Sequence, residues 1–311
     1  MSVDDGVFGE KDWVNLLWYI KKGKCTPFIG AGACYPYLPL GSKLASDWAK
    51  EYSYPLKDVT DLPKVAQFMA IDNFDMFPKN QITEIFEERI KKNSPDYFKK
   101  DDPHGLLADL NLPLYITTNY DSFMFNALKS RRRDSKRELC RWSNDLEQML
   151  KLKGIKPVLN SSYKPSVQEP LVYHLHGYLE VPESIILTES DYLDFMVRLH
   201  EPENSILHPE ITIALASNAL LFIGYSLADW NFRVLFRGLF SGLKSMANLI
   251  IAVQLRPNDV IDETNAIKYL RKYFGSILAT SGNFKVRVYW GEATEFAKEL
   301  REHWDMSIHA E

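Results

Sequence analysis

Six short apolar runs recur along the chain, and segments with helical periodicity separate them. The runs contain few polar positions, as expected for strands that are buried on both faces of a parallel sheet. Strands that alternate with helices over a whole chain are typical of a doubly wound α/β fold. We therefore predict a parallel sheet of about six strands, formed by TPFIGA (26–31), LYITTN (114–119), LVYHLH (171–176), ALLFIGYS (219–226), LIIAVQL (249–255) and KVRVYW (285–290).

Three segments depart from this alternation. Residues 43–104 place apolar residues at helical spacing without a strong strand, which predicts a helical insert or cap. Residues 178–218 are also predicted to be mainly helical. The charged run KSRRRDSKRELCR (129–141) is predicted to lie on a helix that leaves the second strand. No repeat or low-complexity linker divides the sequence, so we predict a single domain over 1–311.

Composition narrows the class of protein. Hydrophobic residues make up 46% of the chain and charged residues 25%, as in ordinary globular proteins, and the net charge of -4 argues against general nucleic-acid affinity. The three cysteines Cys25, Cys34 and Cys140 form no C-x-x-C pair, which excludes a zinc site of paired cysteines. Because no apolar run reaches the ~18 residues that span a bilayer and the start is acidic, we expect a soluble, cytoplasmic protein.

The first apolar run ends in two glycines, Gly30 and Gly32, with Ala31 between them. Glycine between a strand and a helix lets the backbone approach a pyrophosphate. The third glycine of the dinucleotide-binding fingerprint is missing, because its position holds Tyr35, and the chain has no Walker A sequence. On its own, the pattern fits a phosphate-binding turn and a tight corner equally well.

Polar side chains follow the second apolar run. Asn119 and Asp121 come directly after it, at the strand end where open α/β sheets bind their ligands. The asparagine can hydrogen-bond a ribose hydroxyl or a water molecule, and the aspartate can anchor an amide. The alternative is that both residues cap the following helix.

The third and fourth runs end in a similar way. His176 stands directly before Gly177 and can accept a proton near neutral pH, whereas His174 is assigned a structural role. His174 and His176 could form a His-x-His metal site only with further ligands, and the sequence does not indicate any. Gly224 permits close backbone approach and Ser226 can donate to a phosphate or a ribose, although a capped turn explains both equally well. Several strands thus end in groups that a nucleotide crevice requires.

These motifs together carry a family resemblance. GAGAC, TTNYD, LHG and GYSLAD, in this order and spacing, resemble the sirtuin-type NAD-binding domain, and LPKVAQF and IILTESDYLDF are similar to its divergent bacterial branch in anti-phage defence. The resemblance covers about residues 12–300 and implies a Rossmann-like fold that binds NAD.

The resemblance also implies a role for each matching residue. The glycine turn holds the phosphates of NAD, the asparagine binds ribose and positions the attacking group, and the aspartate lies near the carboxamide of nicotinamide. The histidine acts as base or positions the ribose, and the Gly-x-Ser turn contacts the adenosine side. On this sequence the residues are Gly30, Ala31, Gly32, Asn119, Asp121, His176, Gly224 and Ser226.

One departure from the family bears on the reaction. Protein deacylases of the family carry a zinc module with two cysteine pairs, and residues 178–223 contain no cysteine. The mainly helical segment 178–218 is expected to replace that module, which puts acyl-lysine chemistry in doubt. The branch without the module hydrolyses NAD, so the resemblance implies an NAD+ glycohydrolase that releases nicotinamide and ADP-ribose without a metal ion.

Three alternatives stay open at this point. An NAD-dependent protein deacylase needs an acyl-lysine groove and usually the zinc pairs. A non-catalytic NAD or ADP-ribose sensor is expected to have lost Asn119 or His176, and both are present. A nucleic-acid adaptor would use the basic run 129–141, but Asp134 and Glu138 interrupt that run and favour a solvated helix face.

Regulation is expected on functional grounds, because an enzyme that destroys NAD has to be idle in healthy cells. The resemblance implies a homo-oligomer and, as a partner, a HerA-type hexameric ATPase. We expect neither a membrane partner nor direct binding of nucleic acid. The trigger is expected on a separate subunit.

Overall fold

Seven parallel strands form one sheet in the computed structural model. The structure describes residues 8–160, 162–201, 206–226, 230–240, 249–254, 262, 264–266, 268–269, 272–273 and 285–309. The strands lie in the order β3-β4-β2-β1-β5-β6-β7, and every neighbouring pair is parallel. They are β1 (Cys25–Ile29), β2 (Leu114–Thr117), β3 (Lys136–Leu139), β4 (Leu171–His174), β5 (Ala219–Ile223), β6 (Leu249–Gln254) and β7 (Lys285–Trp290).

Helices cover both faces of this sheet, which confirms the predicted doubly wound, Rossmann-like α/β fold. They are α1 (Glu10–Lys21), α2 (Gly41–Glu51), α3 (Leu62–Asp72), α4 (Phe77–Lys92), α5 (Pro103–Asp109), α6 (Phe123–Ser130), α7 (Asn144–Leu152), α8 (Glu189–Leu199), α9 (Pro209–Ser217), α10 (Trp230–Phe240) and α11 (Ala293–His309). Among the described helices, none is both long enough and apolar enough to cross a membrane.

The strand β3 corrects two predictions. The sheet has seven strands where about six were expected, and the run 129–141 is not one helix. The helix α6 ends at Ser130, and β3 begins six residues later and pairs with β4 at the sheet edge. Its charged side chains hid it, because an edge strand is held by backbone bonds and leaves Lys136 and Arg137 half-buried.

Neighbouring residues of the central strands feed two separate cores. Phe28 and Ile116 face one core together with the helices α7 to α10, and their neighbours Ile29 and Tyr115 face the other with α1, α5, α6 and α11. Because successive side chains of a strand point to opposite faces, a strand covered on both sides is apolar throughout. This is why the central strands could be read from the sequence as continuous runs.

The helices α2, α3 and α4 pack in a third cluster, through Trp48, Val65 and Ile82. Apart from the first two residues of α2, they lie within the segment 43–104 that was predicted to be a helical insert or cap. The segment 178–218 begins with a loop and a short 3-10 turn and continues with α8 and α9. The division of the chain into these units stays a prediction.

The topology determines where a ligand can bind. Strands β2, β4 and β3 lie on one side of β1, and β5, β6 and β7 lie on the other. The chain order therefore reverses at the boundary between β1 and β5. In open α/β sheets, the crevice at such a point, outside the carboxyl ends of the strands, is the usual ligand site.

Candidate functional site

A cavity of about 580 Å³ opens at this topological switch point. Its volume lies within the range of small-molecule and cofactor sites. Seven of the eight predicted site residues line it, and the eighth, Gly30, lies in the same turn as two of them. The seven are Ala31, Gly32, Asn119, Asp121, His176, Gly224 and Ser226.

The glycine turns that follow β1 and β5 pack directly against each other. A Cβ atom on Gly30 would lie 2.8 Å from the carbonyl oxygen of Gly224, and one on Gly32 would lie 2.9 Å from its Cα. Gly224 has a φ of +79°, and a Cβ there would lie 2.3 Å from the nitrogen of Ala33. The glycines are thus needed for this close approach. The tight corner is therefore present, and the joined turns form a wall of the crevice. Binding of a phosphate by these turns stays a prediction.

Hydrogen bonds hold both the side chain and the backbone of Asn119 next to the glycine turns. Its Nδ2 atom donates to the carbonyl oxygen of Gly30 and to Sγ of Cys34, both at 3.0 Å. Its backbone nitrogen donates to Oγ1 of Thr117, and its carbonyl oxygen accepts from Nδ1 of His174 at 3.0 Å. Only 9% of the residue is exposed. His174 therefore acts through the backbone of Asn119, which agrees with the structural role expected for it.

Asp121 contacts the start of the following helix and also lies at the crevice. Its Oδ1 atom accepts from the backbone nitrogen of Phe123 at 2.8 Å, which supports the start of α6, while its side chain also lines the crevice. Its Oδ2 atom accepts from the thiol of Cys34 at 3.1 Å. Burial raises the pKa of both groups, so the thiol keeps the proton that it donates.

His176 lies deeper in the crevice, against the aromatic rings of α8. The ring centroids of Tyr192 and Phe195 lie 5.3 Å and 5.6 Å away, in edge contacts. Burial lowers the pKa of His176 to about 3, so the imidazole is neutral near pH 7. Its Nε2 atom is buried and has no hydrogen-bond partner among the described residues. A neutral ring can accept a hydrogen bond from a ligand hydroxyl or from water.

The structure adds residues that sequence reasoning missed. Cys34 links the side chains of Asn119 and Asp121, although it was counted only as a free cysteine. The hydroxyl of Tyr225 lies 2.9 Å from Oγ1 of Thr118 and donates to the carbonyl oxygen of Ile29 at 3.1 Å. The sequence signal for Cys34 was its place two residues after the second glycine of the first turn.

Comparison with known proteins agrees with this geometry. A family model described as a SIR2-like domain matches residues 113–278. The chain belongs to the SIR2-like family. The matched span contains Asn119, Asp121, His176, Gly224 and Ser226, and the first glycine turn lies before it.

Curated relatives connect this SIR2-like chain with one named activity. It is 24% identical over 191 residues to NAD(+) hydrolase ThsA of Bacillus cereus (strain MSX-D12). The aligned region covers 61% of this chain and 34% of that protein. This chain is 23% identical over 222 residues to NAD(+) hydrolase ThsA of Enterococcus faecium, covering 68% and 39%. The match to ThsA of Acinetobacter baumannii (strain 532279) is 25% over 208 residues, covering 66% and 36%. The matches thus span little more than a third of each relative.

Proposed function

We propose that this chain hydrolyses NAD+ at the N-glycosidic bond and releases nicotinamide and ADP-ribose. The observation that supports the proposal most directly is that Asn119, Asp121 and His176 meet in one crevice with the glycine turns. The names of the relatives, all NAD(+) hydrolases, support the same reaction.

In the proposed reaction, the bond between C1′ of the ribose and the pyridine nitrogen breaks, and its electron pair leaves with nicotinamide. Asp121 holds the carboxamide, while the amide of Asn119 orients the ribose and the incoming water. Water bonds to the positively charged C1′ carbon and loses a proton. His176 stays neutral because its pKa is lowered to about 3, and its buried Nε2 atom, without a partner among the described residues, accepts a hydrogen bond from the incoming water or from a ribose hydroxyl. The proton passes to solvent water.

A turnover assay tests the proposal. The protein is incubated with NAD+, and nicotinamide is quantified by chromatography. We expect Asn119→Ala and His176→Ala each to lower the rate by about 100-fold or more. Asn218→Ala is a matched control, because Asn218 stands before the amino end of β5 and its Nδ2 atom donates to Oγ1 of Thr26. Turnover that survives both crevice substitutions would contradict the assignment.

The assay also separates the alternatives. Release of nicotinamide only when an acetylated peptide is present indicates the deacylase. Binding of NAD+ without turnover, with any partner present, indicates the sensor.

The biological setting of the reaction is a second part of the proposal. Depletion of NAD during phage infection, by a homo-oligomer that works with a HerA-type ATPase, is consistent with an enzyme whose activity has to be restrained. We expect the ATPase to co-elute with this chain in size-exclusion chromatography and to change its rate of NAD+ turnover. A chain that stays monomeric and keeps one rate with and without the ATPase would contradict this part.

A further inference from the structure

Three buried side chains behind the crevice carry donor atoms of the kinds that transition metals prefer. Cys34 lies in the turn after β1, His104 in the first turn of α5, and Asp121 in the loop after β2. Their exposed fractions are 2%, 1% and 5%. One ligand atom from each lies within 4.8 Å of the other two. Thiolate, imidazole and carboxylate together form a ligand set suited to zinc.

Two of the three donor separations are close to those around a single ion. Sγ of Cys34 lies 3.1 Å from Oδ2 of Asp121 and 3.9 Å from Nε2 of His104. Donors around a tetrahedral Zn²⁺ ion lie about 3.3–3.8 Å apart, since the bonds to sulfur, nitrogen and oxygen are about 2.0–2.3 Å long. Shifts of a few tenths of an ångström at the sulfur therefore bring both of these distances to the required length.

The charge also fits. A thiolate and a carboxylate carry two negative charges, which one divalent cation neutralises, with a neutral imidazole as third ligand. Cys34 and Asp121 line the cavity, so a water molecule from the crevice can complete the coordination. This opening also gives the ion a path into the site.

His104 supplies a second, independent observation. Its Nδ1 atom is buried without a hydrogen-bond partner among the described residues. Its Nε2 atom points at Sγ of Cys34, where 3.9 Å is a long contact even for a sulfur hydrogen bond. A buried ring with so little hydrogen bonding is unfavourable by about 1–3 kcal/mol, and such groups call for a ligand or a partner. A cation bound at Nε2 would replace this long contact with sulfur, while Nδ1 keeps no partner among the described residues.

We propose that Cys34, His104 and Asp121 form a binding site for a thiophilic divalent cation such as Zn²⁺, and that the bound ion inhibits the enzyme. Inhibition follows because an Asp121 carboxylate that ligates the ion can no longer hold the carboxamide of nicotinamide. The cation takes no part in the hydrolysis; it blocks the crevice. The inhibition rests on the proposed function, whereas the binding does not.

Cobalt tests the binding without any enzymatic readout. The chain is stripped with a chelator, and Co²⁺ is added without oxygen. We expect a sulfur-to-cobalt charge-transfer band in the near ultraviolet that saturates at one ion per chain and is removed by competing Zn²⁺. The band should disappear in Cys34→Ser, weaken in His104→Gln and persist in Cys140→Ser, a matched control because Cys140 is also buried. Zn²⁺ should also raise the melting temperature of the wild type but not that of Cys34→Ser.

Different results would contradict the binding of the cation and its inhibition of the enzyme. Absence of the band in the wild type, or a band that Cys34→Ser leaves unchanged, overturns the metal site whatever the turnover. The inhibition is measured as the ratio of NAD+ turnover with a chelator to turnover with buffered Zn²⁺, taken within each variant. We expect a ratio of at least ~10 for the wild type and near 1 for His104→Gln. A wild type that shows the band but the same turnover with Zn²⁺ overturns the inhibition, and a band without any turnover argues against the proposed function alone.

Discussion

Two sets of buried polar side chains differ in how fully they are hydrogen-bonded. Between α4 and α8, Nζ of Lys79 lies 2.8 Å from Oδ1 of Asp191, with the two side chains only 8% and 12% exposed. The other oxygen of Asp191 accepts from the backbone nitrogens of Leu187 and Thr188. In and behind the crevice, by contrast, three buried histidines each leave one ring nitrogen without a partner among the described residues: Nδ1 of His104, Nε2 of His174 and Nε2 of His176. Of the three, His176 lines the cavity.

The contrast sets a fully paired ion pair that holds two helices together against histidines of which one, His176, faces the crevice. A fully paired buried group contributes to stability, whereas a buried group without a partner is unfavourable in the free protein. The predictions below test whether the pair between α4 and α8 governs stability and the histidines govern activity.

The largest effect on stability is expected from Lys79→Met. Removing the ammonium leaves the Asp191 carboxylate buried without its counter-charge, which should lower the free energy of unfolding by about 3–5 kcal/mol in a denaturant titration. Lys43→Met is the matched control. Its partner is Asp47, and because these side chains are 68% and 53% exposed, the change should stay within about 0.5 kcal/mol. Equal losses in the two variants would remove the contrast.

The opposite pattern is expected from His176→Gln. Glutamine keeps a polar side chain of similar volume, and the lost ring nitrogen has no partner among the described residues, so the free energy of unfolding should change by about 1 kcal/mol or less. Turnover of NAD+ should nevertheless fall about 100-fold, because the ring that positions the ribose and the incoming water is gone. A variant that unfolds more easily yet keeps its turnover would make His176 a structural residue.

The contrast extends to pH. Burial lowers the pKa of His176 to about 3 and that of His174 to about 4, from 6.5 in the unfolded chain. The unfolded state therefore binds more protons below pH 6.5, and stability is complete above that value and falls as the pH falls, by about 1.4 kcal/mol per unit for each histidine. Denaturant titrations between about pH 7 and about pH 5 measure this slope. His176→Gln should reduce it by one histidine's share, and an unchanged slope would contradict the buried neutral state.

The sequence predicted those strands whose burial on both faces makes them apolar along their whole length. Central strands such as β1 and β5 are apolar on both faces, so a continuous run reveals them. The edge strand β3 carries Lys136, Arg137 and Glu138, and only backbone pairing with β4 makes it a strand. The pattern of charges around β3 gives only local information, whereas its pairing joins residues about 35 positions apart in the sequence. The sequence pattern therefore did not reveal this strand.

The site was predictable to a similar extent. The meeting of Asn119 and His176 in one crevice was predictable, because each follows the end of a parallel strand and such strands bring their ends together. Cys34 and His104 were not found as a pair, since they are 70 positions apart and His104 comes from the helix α5. The contact between the glycine turns was also beyond the sequence, because it depends on β1 and β5 being neighbours in the sheet.

The smallest effect on stability is expected from Tyr225→Phe. This variant tests whether a hydrogen-bonded hydroxyl at the crevice contributes as much to the free energy of unfolding as one elsewhere in the fold. The hydroxyl of Tyr225 lies 2.9 Å from Oγ1 of Thr118 and donates to the carbonyl oxygen of Ile29. Loss of the hydroxyl should lower the free energy of unfolding by about 1 kcal/mol. Tyr115→Phe is the matched control, because that buried hydroxyl donates to one backbone carbonyl, of Leu107.

A double-mutant cycle with Thr118→Val then isolates the contact between the two hydroxyls of Thr118 and Tyr225. We expect a coupling of about 0.5–1 kcal/mol from denaturant titrations of the two single variants and the double variant. A coupling near zero would mean that the hydroxyl of Tyr225 is held by the backbone of β1 alone. The hydroxyl of Thr118, which lines the crevice, would then be available to a ligand.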